Sequence, residues 1–411
     1  MRGGMAWLKN GLLVAGSLLA VFALSLATDR VVGLAVPTPD LPGTMELLFP
    51  PNSEHVYTTI DFTYTVRTNS LGLRERELPG ERGEVYRIAA IGDSYTYGWG
   101  VEIEHTWLRL LEQHLKDAGC NVETVNMGKP GSGPPDYADL AERAIPILRP
   151  DLVIVALLQG NDMAAAGPTG FEEVAETLGD KARALYPNIV RFLRDLRLER
   201  DIESRTQEVR PPEKTKAEDN RRWAANTAKE FLDGMTPEQR ARFDAFDDEV
   251  KETYMNGLLN PYMIDLAMQN EHFYGITLNL DDPWLQECIK RTGGHLKRIK
   301  KVARDYGARV VVVSIPEGAY VNKHACEGIR RVGYAIPEGV LESDAPDEAI
   351  ARASEEAGLP FLNATDTFKQ RKNEPGLFFE LDGHLTTEGH RLYAEAIAPQ
   401  IERLITEDAG K

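Results

Sequence analysis

The chain has 411 residues, enough for one large domain or two smaller ones, and its hydrophobic content of 42% is ordinary for a globular core. Its formal net charge of -17 argues against a nucleic-acid-binding protein, because neutralising phosphates requires clustered Lys and Arg side chains. An acidic balance of this kind favours solubility and by itself indicates no partner.

The first predicted element is an apolar helix. Residues 11–28 form an uncharged run of 18 residues rich in Leu, Ala and Val, and Arg2 and Lys9 precede it. As a helix this run would extend about 27 Å, close to the ~30 Å hydrocarbon core of a bilayer. We predict a membrane anchor over residues 1–30, with the basic flank in the cytoplasm and the rest of the chain outside. The alternative is a signal peptide cleaved near Ser25-Leu26-Ala27, which would also export the domain that follows.

Residues 31–84 are predicted to form a spacer and a small β ribbon. Residues 37–51 are rich in proline, which indicates an extended spacer. Ile60, Phe62, Tyr64 and Val66 then alternate with polar residues. This period of two predicts a half-buried strand that is one arm of a ribbon on the main domain.

The main domain is predicted over residues 85–166 and 281–408. Apolar strands are expected at 85–91, 121–126, 151–158, 308–315 and 360–362, and helical segments lie between them. Repeated strand-then-helix order predicts a parallel sheet with right-handed crossovers. The strand at 151–158 is almost wholly apolar, as expected for a strand covered on both faces.

A helical insertion is predicted between the third and fourth strands, over residues 167–280. The stretch has no strand signal, and Thr236-Pro237-Glu238-Gln239 is a capping box with proline at the first helical position. The insertion leaves the sheet beside Asn161. It would be either a cap over that sheet edge or a decoration on the side of the sheet.

Four short motifs lie next to predicted strands or helices of the main domain. Gly92-Asp93-Ser94 follows the first strand, Gly128-Lys129-Pro130-Gly131 the second and Gly160-Asn161-Asp162 the third, and Asp382-Gly383-His384 precedes the last helix. The carboxyl ends of parallel strands meet at one edge of a sheet, where open α/β folds bind ligands. A serine there, with an acid and a histidine late in the chain, indicates a hydrolytic triad.

The four motifs, in this order, resemble those of the SGNH (GDSL-type) hydrolases, a family of serine esterases and acyl-handling enzymes. The resemblance covers roughly residues 85–165 and 305–405. It implies a flavodoxin-like three-layer α/β/α sandwich, here with an N-terminal transmembrane helix and a helical insertion. It also implies that Ser94 is the nucleophile and that Asp382 and His384 complete the triad. Ser94, Gly131 and Asn161 would form the oxyanion hole.

The last motif departs from the family pattern. It reads Asp-x-His where the family usually has Asp-x-x-His, although some envelope polysaccharide acyltransferases and esterases that resemble the family share the shorter spacing. Asp382 can reach the histidine ring only if the segment bends. Glu380 is therefore the main alternative acid, and Asp162 is a weaker one.

Other candidates near the motifs are assigned structural roles. Tyr95, Tyr97 and Trp99 follow the serine and are interpreted as core aromatics, with an acyl or sugar pocket as the alternative. His390 lies one turn into the last helix and is interpreted as structural. Cys120, Cys288 and Cys326 show no metal-binding spacing and are interpreted as free thiols, with a Cys288–Cys326 disulfide as the alternative.

The sequence therefore predicts a membrane-anchored, extracytoplasmic serine esterase that acts through an acyl-enzyme. No metal or other cofactor is expected. The expected substrate is an ester of an envelope glycan, a lipid or an exported metabolite. An O-acyltransferase acting on an envelope polysaccharide and a catalytically silent binding module remain as alternatives. The oligomeric state is left open.

Overall fold

The structure is a computed structural model that describes residues 2–35, 43–79, 83–167, 185–206 and 209–409. Its strands are β1 (Glu54–Thr58), β2 (Thr63–Arg67), β3 (Tyr86–Gly92), β4 (Val122–Gly128), β5 (Leu152–Leu158), β6 (Lys214–Thr215), β7 (Arg309–Ile315) and β8 (Phe361–Leu362). Its helices are α1 (Arg2–Ala35), α2 (Ser94–Tyr97), α3 (Trp107–Asp117), α4 (Pro134–Leu148), α5 (Asn161–Ala165), α6 (Pro187–Thr206), α7 (Ala217–Gly234), α8 (Pro237–Asp244), α9 (Asp248–Met255), α10 (Pro261–Gln269), α11 (Pro283–Asp305), α12 (Gly318–Val321), α13 (Lys323–Arg331), α14 (Ala345–Ala357), α15 (Thr365–Gln370) and α16 (Thr387–Ala409).

The chain divides into two units. The smaller unit is drawn from Met1–Asp40 and Val174–Gln207, and the larger from Leu41–Glu173 and Glu208–Lys411. The predicted insertion is thus shared between them, since α6 belongs to the smaller unit and α7–α10 to the larger.

Among the residues that the structure describes, the smaller unit contains the helices α1 and α6. Within α1, Leu13–Gly33 has a mean hydropathy of 1.5 and is long and apolar enough to cross a membrane, and its leucines are largely exposed. Asp29, on the same helix, accepts hydrogen bonds from the N–H groups of Asn188 (3.0 Å) and Ile189 (2.9 Å). Because the first N–H groups of a helix lack partners within it, Asp29 caps the start of α6.

The larger unit is built on a five-stranded parallel sheet in the order β4-β3-β5-β7-β8. Counted within this sheet, the order is the 2-1-3-4-5 arrangement of flavodoxin-like folds. β4 and β5 therefore lie on either side of β3, and the carboxyl ends of all three meet at one edge. The predicted fold class is confirmed.

Two helical layers cover this sheet. α11 packs against both α4 and α14, and α3 packs against α16. Every residue of β5 is buried, which explains why its sequence lacks the alternation of a half-exposed strand. α8 begins with the predicted capping box, in which Thr236 accepts a hydrogen bond from the N–H of Gln239.

A second, smaller sheet has the order β2-β1-β6. β1 and β2 form an antiparallel ribbon, and Tyr64 and Val66 of β2 join Phe62, which precedes that strand, in a small apolar cluster with Tyr97. The predicted strand begins later than expected, at Thr63, because the hydroxyl of Thr59 accepts hydrogen bonds from the N–H groups of Asp61 and Phe62 and forms a turn. Ile60, predicted to be half-buried in the strand, lies in this turn and is 43% exposed.

The pair Arg87–Glu123 offers a test of the sheet's packing. These residues are opposite each other on β3 and β4, their side chains are 2% and 7% exposed, and Arg87 Nε lies 2.7 Å from Glu123 Oε1. Glu123→Ala would leave a buried guanidinium without its carboxylate, and we expect a loss of about 3–5 kcal/mol in the free energy of unfolding, measured by urea denaturation. The matched control is Glu54→Ala, because Glu54 and its partner Arg67 are 43% and 69% exposed; the expected loss is about 0–1 kcal/mol. Equal losses of stability in the two variants would contradict the conclusion that Arg87 and Glu123 form a buried ion pair.

Candidate active site

The serine stands at a tight strand-to-helix turn. β3 ends at Gly92, Asp93 follows, and α2 begins at Ser94. The Asp93 carboxylate accepts a hydrogen bond of 2.9 Å from the N–H of Tyr95 and so fixes the turn. A Cβ on residue 92 would lie 2.2 Å from Thr96 Oγ1, so only glycine permits this close approach of helix to strand.

The histidine and its neighbouring acid lie on a hairpin-like loop before α16. Phe378 and Leu385 form an isolated antiparallel bridge, and the N–H of Phe379 donates to the carbonyl of His384 at 2.8 Å. Between them Gly383 has φ of +79°, in the left-handed region that side chains disfavour. This is the bend that an Asp-x-His segment needs to turn its acid back towards the ring.

Ser94, His384 and Asp382 form a continuous hydrogen-bonded chain. His384 Nε2 lies 2.7 Å from Ser94 Oγ, and His384 Nδ1 lies 2.5 Å from Asp382 Oδ1. The side chain of Asp382 is 1% exposed and that of His384 is 15% exposed. With the ring proton on Nδ1, Nε2 is free to accept the proton of the serine hydroxyl.

The alternative acids are engaged elsewhere. Glu380 is 68% exposed and its Oε1 lies 2.6 Å from Arg331 Nη1. Asp162 is buried and accepts hydrogen bonds from the hydroxyl of Tyr137 (3.0 Å) and the N–H of Leu158 (2.8 Å). The structure therefore brings Asp382, and neither of these two, against the histidine.

Burial and neighbouring charges shift the pKa values of three titratable groups near the serine. Burial alone would lower the pKa of His384, but the charge of Asp382 and the hydrogen bond to it dominate and raise that pKa above its ordinary value. Burial raises the pKa of Asp93 to about 6, against the lowering effect of the N–H of Tyr95. Burial raises the pKa of Asp162 well above its usual range, and the charge of Asp93 adds to the effect.

The candidate oxyanion donors stand at the same sheet edge, after the two strands that flank β3. Gly131 lies three residues after the end of β4 and has φ of +72°, and Asn161, three residues after the end of β5, is the first residue of α5. Neither the N–H of Gly131 nor the carboxamide of Asn161 is hydrogen-bonded to another residue that the structure describes. Both are donors available to a ligand at this edge.

Two residues that were not predicted to contact the triad form hydrogen bonds with the acid. Trp99 Nε1 donates to Asp382 Oδ2 at 3.2 Å. Asp61 Oδ2 accepts hydrogen bonds from the N–H groups of Leu381 (3.1 Å) and Asp382 (2.9 Å). Trp99 was interpreted as a core aromatic, and Asp61 as a polar position of the ribbon strand. No sequence signal identifies Asp61, because more than three hundred positions separate it from its partners.

His390 and the cysteines lie outside this chain of hydrogen bonds. His390 is buried, its Nδ1 accepts a hydrogen bond of 3.2 Å from the N–H of Trp107, and burial lowers its pKa to about 3. It is therefore a neutral, structural histidine. Cys120, Cys288 and Cys326 are free thiols.

Comparison with known proteins gives the same family as the motifs. The model of the GDSL-like lipase/acylhydrolase family matches residues 90–256. No curated protein sequence matches the chain.

Several solved structures resemble the chain at a distance. A lipolytic protein of the G-D-S-L family from Desulfitobacterium hafniense is 13% identical, with 76% of this chain and 98% of that chain covered and a TM-score of 0.35. A catalytic mutant of an acetylxylan esterase from Geobacillus stearothermophilus is 12% identical, with 77% and 94% covered and a TM-score of 0.35. An acylhydrolase from Bacteroides fragilis is 12% identical, with 80% and 92% covered and a TM-score of 0.35. At these identities and TM-scores, the similarity indicates neither a substrate nor an activity for the chain.

The family match spans the serine motif, the glycine motif and the asparagine motif in their expected order. The sheet order found for the larger unit is that of the fold which the resemblance implies. Residues 90–256 are thus similar to the GDSL-like lipase/acylhydrolase family, as the four motifs predict.

Proposed function

We propose that the chain is a serine esterase that hydrolyses its substrate through an acyl-enzyme at Ser94. The observation that carries the proposal is the hydrogen-bonded chain from Ser94 Oγ through His384 to Asp382. A serine hydroxyl is a weak nucleophile until a base removes its proton. In this proposal His384 is the base and Asp382 is the group that orients it.

In the first half-reaction, Ser94 Oγ attacks the ester carbonyl and passes its proton to His384 Nε2. The resulting imidazolium is stabilised by the carboxylate of Asp382. The carbonyl oxygen becomes an oxyanion, held by the N–H groups of Ser94 and Gly131 and the carboxamide of Asn161. One such donor contributes a rate factor of about 10²–10³. When the tetrahedral intermediate collapses, the carbon–oxygen bond breaks and His384 donates its proton to the leaving alcohol.

In the second half-reaction, water attacks the acyl-enzyme and gives its proton to His384. The second tetrahedral intermediate collapses, Ser94 Oγ leaves with that proton and the carboxylic acid is released. An acyltransferase would share the first half-reaction and use a sugar hydroxyl in place of water in the second. Products analysed with and without added saccharide distinguish the two: an acylated saccharide would replace the hydrolase proposal by the transferase.

We place the catalytic unit outside the cytoplasm, tethered by α1. The apolar stretch Leu13–Gly33 and the preceding Arg2 and Lys9 support a membrane anchor with its N-terminus inside. A substrate for an enzyme so located is an ester of an envelope glycan, of a lipid or of an exported metabolite.

We further propose that α7–α10 cap one side of the site. Met263 of α10 comes within 3.9 Å of the position that a Cβ would take on Gly383, between the acid and the histidine. The carbonyl of Leu258, just before α10, accepts a hydrogen bond of 2.8 Å from the N–H of Ile60 in the ribbon turn. These contacts support a role for this part of the insertion in substrate selection.

The nucleophile is tested with a fluorophosphonate probe, which reacts with activated serines. We expect the full-length protein to be labelled and Ser94→Ala to be unlabelled. The matched control is Ser354→Ala, which removes a buried serine hydroxyl on α14, distant in sequence from the motifs, and should label like wild type. An unlabelled wild-type protein would favour the silent binding module and would overturn the esterase proposal.

The acid is tested by two isosteric substitutions. Asp382→Asn should reduce kcat for a p-nitrophenyl ester by up to about 10⁴-fold, the loss seen when the orienting acid of a serine-protease triad is replaced in the same way. Glu380→Gln should leave kcat unchanged, because Glu380 is exposed and paired with Arg331. The reverse pattern would show that Glu380 is the acid.

The pH dependence of kcat/KM follows from the pKa of His384. Only the neutral imidazole can accept the serine proton, so activity should rise with pH as His384 loses its proton. Because Asp382 raises this pKa, the midpoint should lie above about 6.5. In Asp382→Asn the raising charge is gone and burial remains, so the midpoint of the residual activity should move to lower pH. A midpoint that is the same in both proteins would contradict this origin of the shift.

A further inference from the structure

We propose that Asp61 and Trp99 are positioning residues that hold the acid of the triad in place across its short Asp-Gly-His spacing. The inference rests on the proposed function for its kinetic consequence. Its structural part stands on the contacts of the two side chains alone.

Asp61 fixes the backbone on which the acid is carried. Its Oδ2 accepts hydrogen bonds from two consecutive N–H groups, those of Leu381 and Asp382, at 3.1 and 2.9 Å. A carboxylate oxygen accepting two N–H groups makes stronger bonds than a neutral acceptor does. Asp61 is itself held in the ribbon turn, where its N–H donates to Thr59 Oγ1 at 3.2 Å. The ribbon thereby sets the position of the main chain at residue 382.

Trp99 fixes the carboxylate itself. Asp382 uses Oδ1 for the histidine ring, and the indole Nε1 of Trp99 donates to the other oxygen, Oδ2, at 3.2 Å. With both oxygens engaged, rotation of the carboxylate away from His384 would break two hydrogen bonds. The side chain of Asp382 is 1% exposed, so water does not readily replace the lost donor.

Trp99 also links the acid to the nucleophile. Its backbone N–H donates to the carbonyl of Ser94 at 3.0 Å, while its indole reaches Asp382. Its ring is in contact with aromatic residues of the ribbon, with centroids 5.4 Å from Tyr57, 6.0 Å from Tyr64 and 6.4 Å from Phe62. The ribbon therefore positions Asp382 in two ways: Asp61 binds its backbone, and the ribbon aromatics pack against Trp99, which binds its carboxylate.

The contacts of Asp61 and Trp99 compensate for the flexibility that Gly383 gives to the segment between the acid and the histidine. Gly383 supplies the bend that returns Asp382 to the ring, but a glycine also leaves that segment free to adopt many other conformations. The hydrogen bonds that Asp61 accepts and the one that Trp99 donates select the conformation in which the acid meets the ring. Asp61 and Trp99 do not touch the reacting atoms, so they act through Asp382.

The test compares Asp61→Ala, Asp61→Asn and Trp99→Phe in the full chain. A displacement of a catalytic group by about 1 Å can cost up to about 10²-fold in rate. We expect Asp61→Ala and Trp99→Phe to lower kcat by about 10- to 10²-fold with little change in KM. Asp61→Asn keeps an acceptor oxygen and should recover most of the loss.

Two controls separate positioning from general loss of packing. Thr63→Ala alters the same ribbon at an exposed hydroxyl, whose hydrogen bond is to Thr58. Trp107→Phe removes a fully buried indole whose Nε1 has no hydrogen-bond partner among the residues that the structure describes. Rates are expressed per active site titrated with fluorophosphonate, so that a smaller folded fraction does not count as slower catalysis. Both controls should match wild type.

A spectroscopic readout tests the inference independently of activity. The Nδ1 proton of His384 should give a low-field NMR resonance, assigned by its loss in His384→Gln, and should move upfield in Asp61→Ala and Trp99→Phe. If wild type is unreactive towards fluorophosphonate, the esterase proposal fails, and the resonance alone decides the positioning role. If wild type is reactive but the variants match it in kcat and leave the resonance unmoved, Asp61 and Trp99 do not position the acid.

Discussion

The site depends on one contact, the hydrogen bond between the carboxylate of Asp382 and Nδ1 of His384. In the proposed mechanism it places the ring proton on the nitrogen away from the serine, leaves Nε2 able to accept, and stabilises the charged ring that forms. Two residues of spacing make this contact difficult, since successive side chains in an extended segment run parallel. The left-handed conformation of Gly383 and the bridge between Phe378 and Leu385 fold the segment back and make the contact geometrically accessible.

The parallel sheet explains why such distant segments meet. β4 and β5 flank β3, so the glycine turn after one and the asparagine after the other stand on either side of Ser94. The same edge collects buried carboxyl groups, and burial raises the pKa of Asp93 to about 6 and that of Glu317 to about 8. With a pKa of about 8, Glu317 is largely uncharged at neutral pH, and an uncharged carboxyl group costs less to bury than an ionised one.

The sequence was sufficient for the fold and for the serine and histidine of the candidate triad, and insufficient for its acid and for the residues that support the acid. Apolar runs such as Leu152–Leu158 and Val310–Val313 mark buried parallel strands whatever surrounds them, so the sheet could be predicted. The order of the four motifs indicated which serine and histidine would meet. It could not decide between Asp382 and Glu380, because that choice depends on a glycine dihedral angle and on the ion pair of Glu380 with Arg331.

The contacts of Asp61, Trp99 and Asp29 were beyond prediction for a different reason. Each joins segments that are far apart in the chain, and nothing in the local pattern of either segment specifies the other. Asp29 is the clearest example, since a carboxylate beside an apolar helix gave no indication that it caps α6. Side-chain hydrogen bonds of this kind follow from the fold and become visible only once the fold is known.

The central claim is tested most directly by trapping the covalent intermediate. The protein is mixed with p-nitrophenyl acetate, quenched in acid within milliseconds, digested and analysed by mass spectrometry. The account predicts that the peptide containing Ser94 transiently gains one acetyl group, which disappears as turnover ends. Release of nitrophenol with no acetylated peptide, or with the acetyl group on another residue, would contradict it.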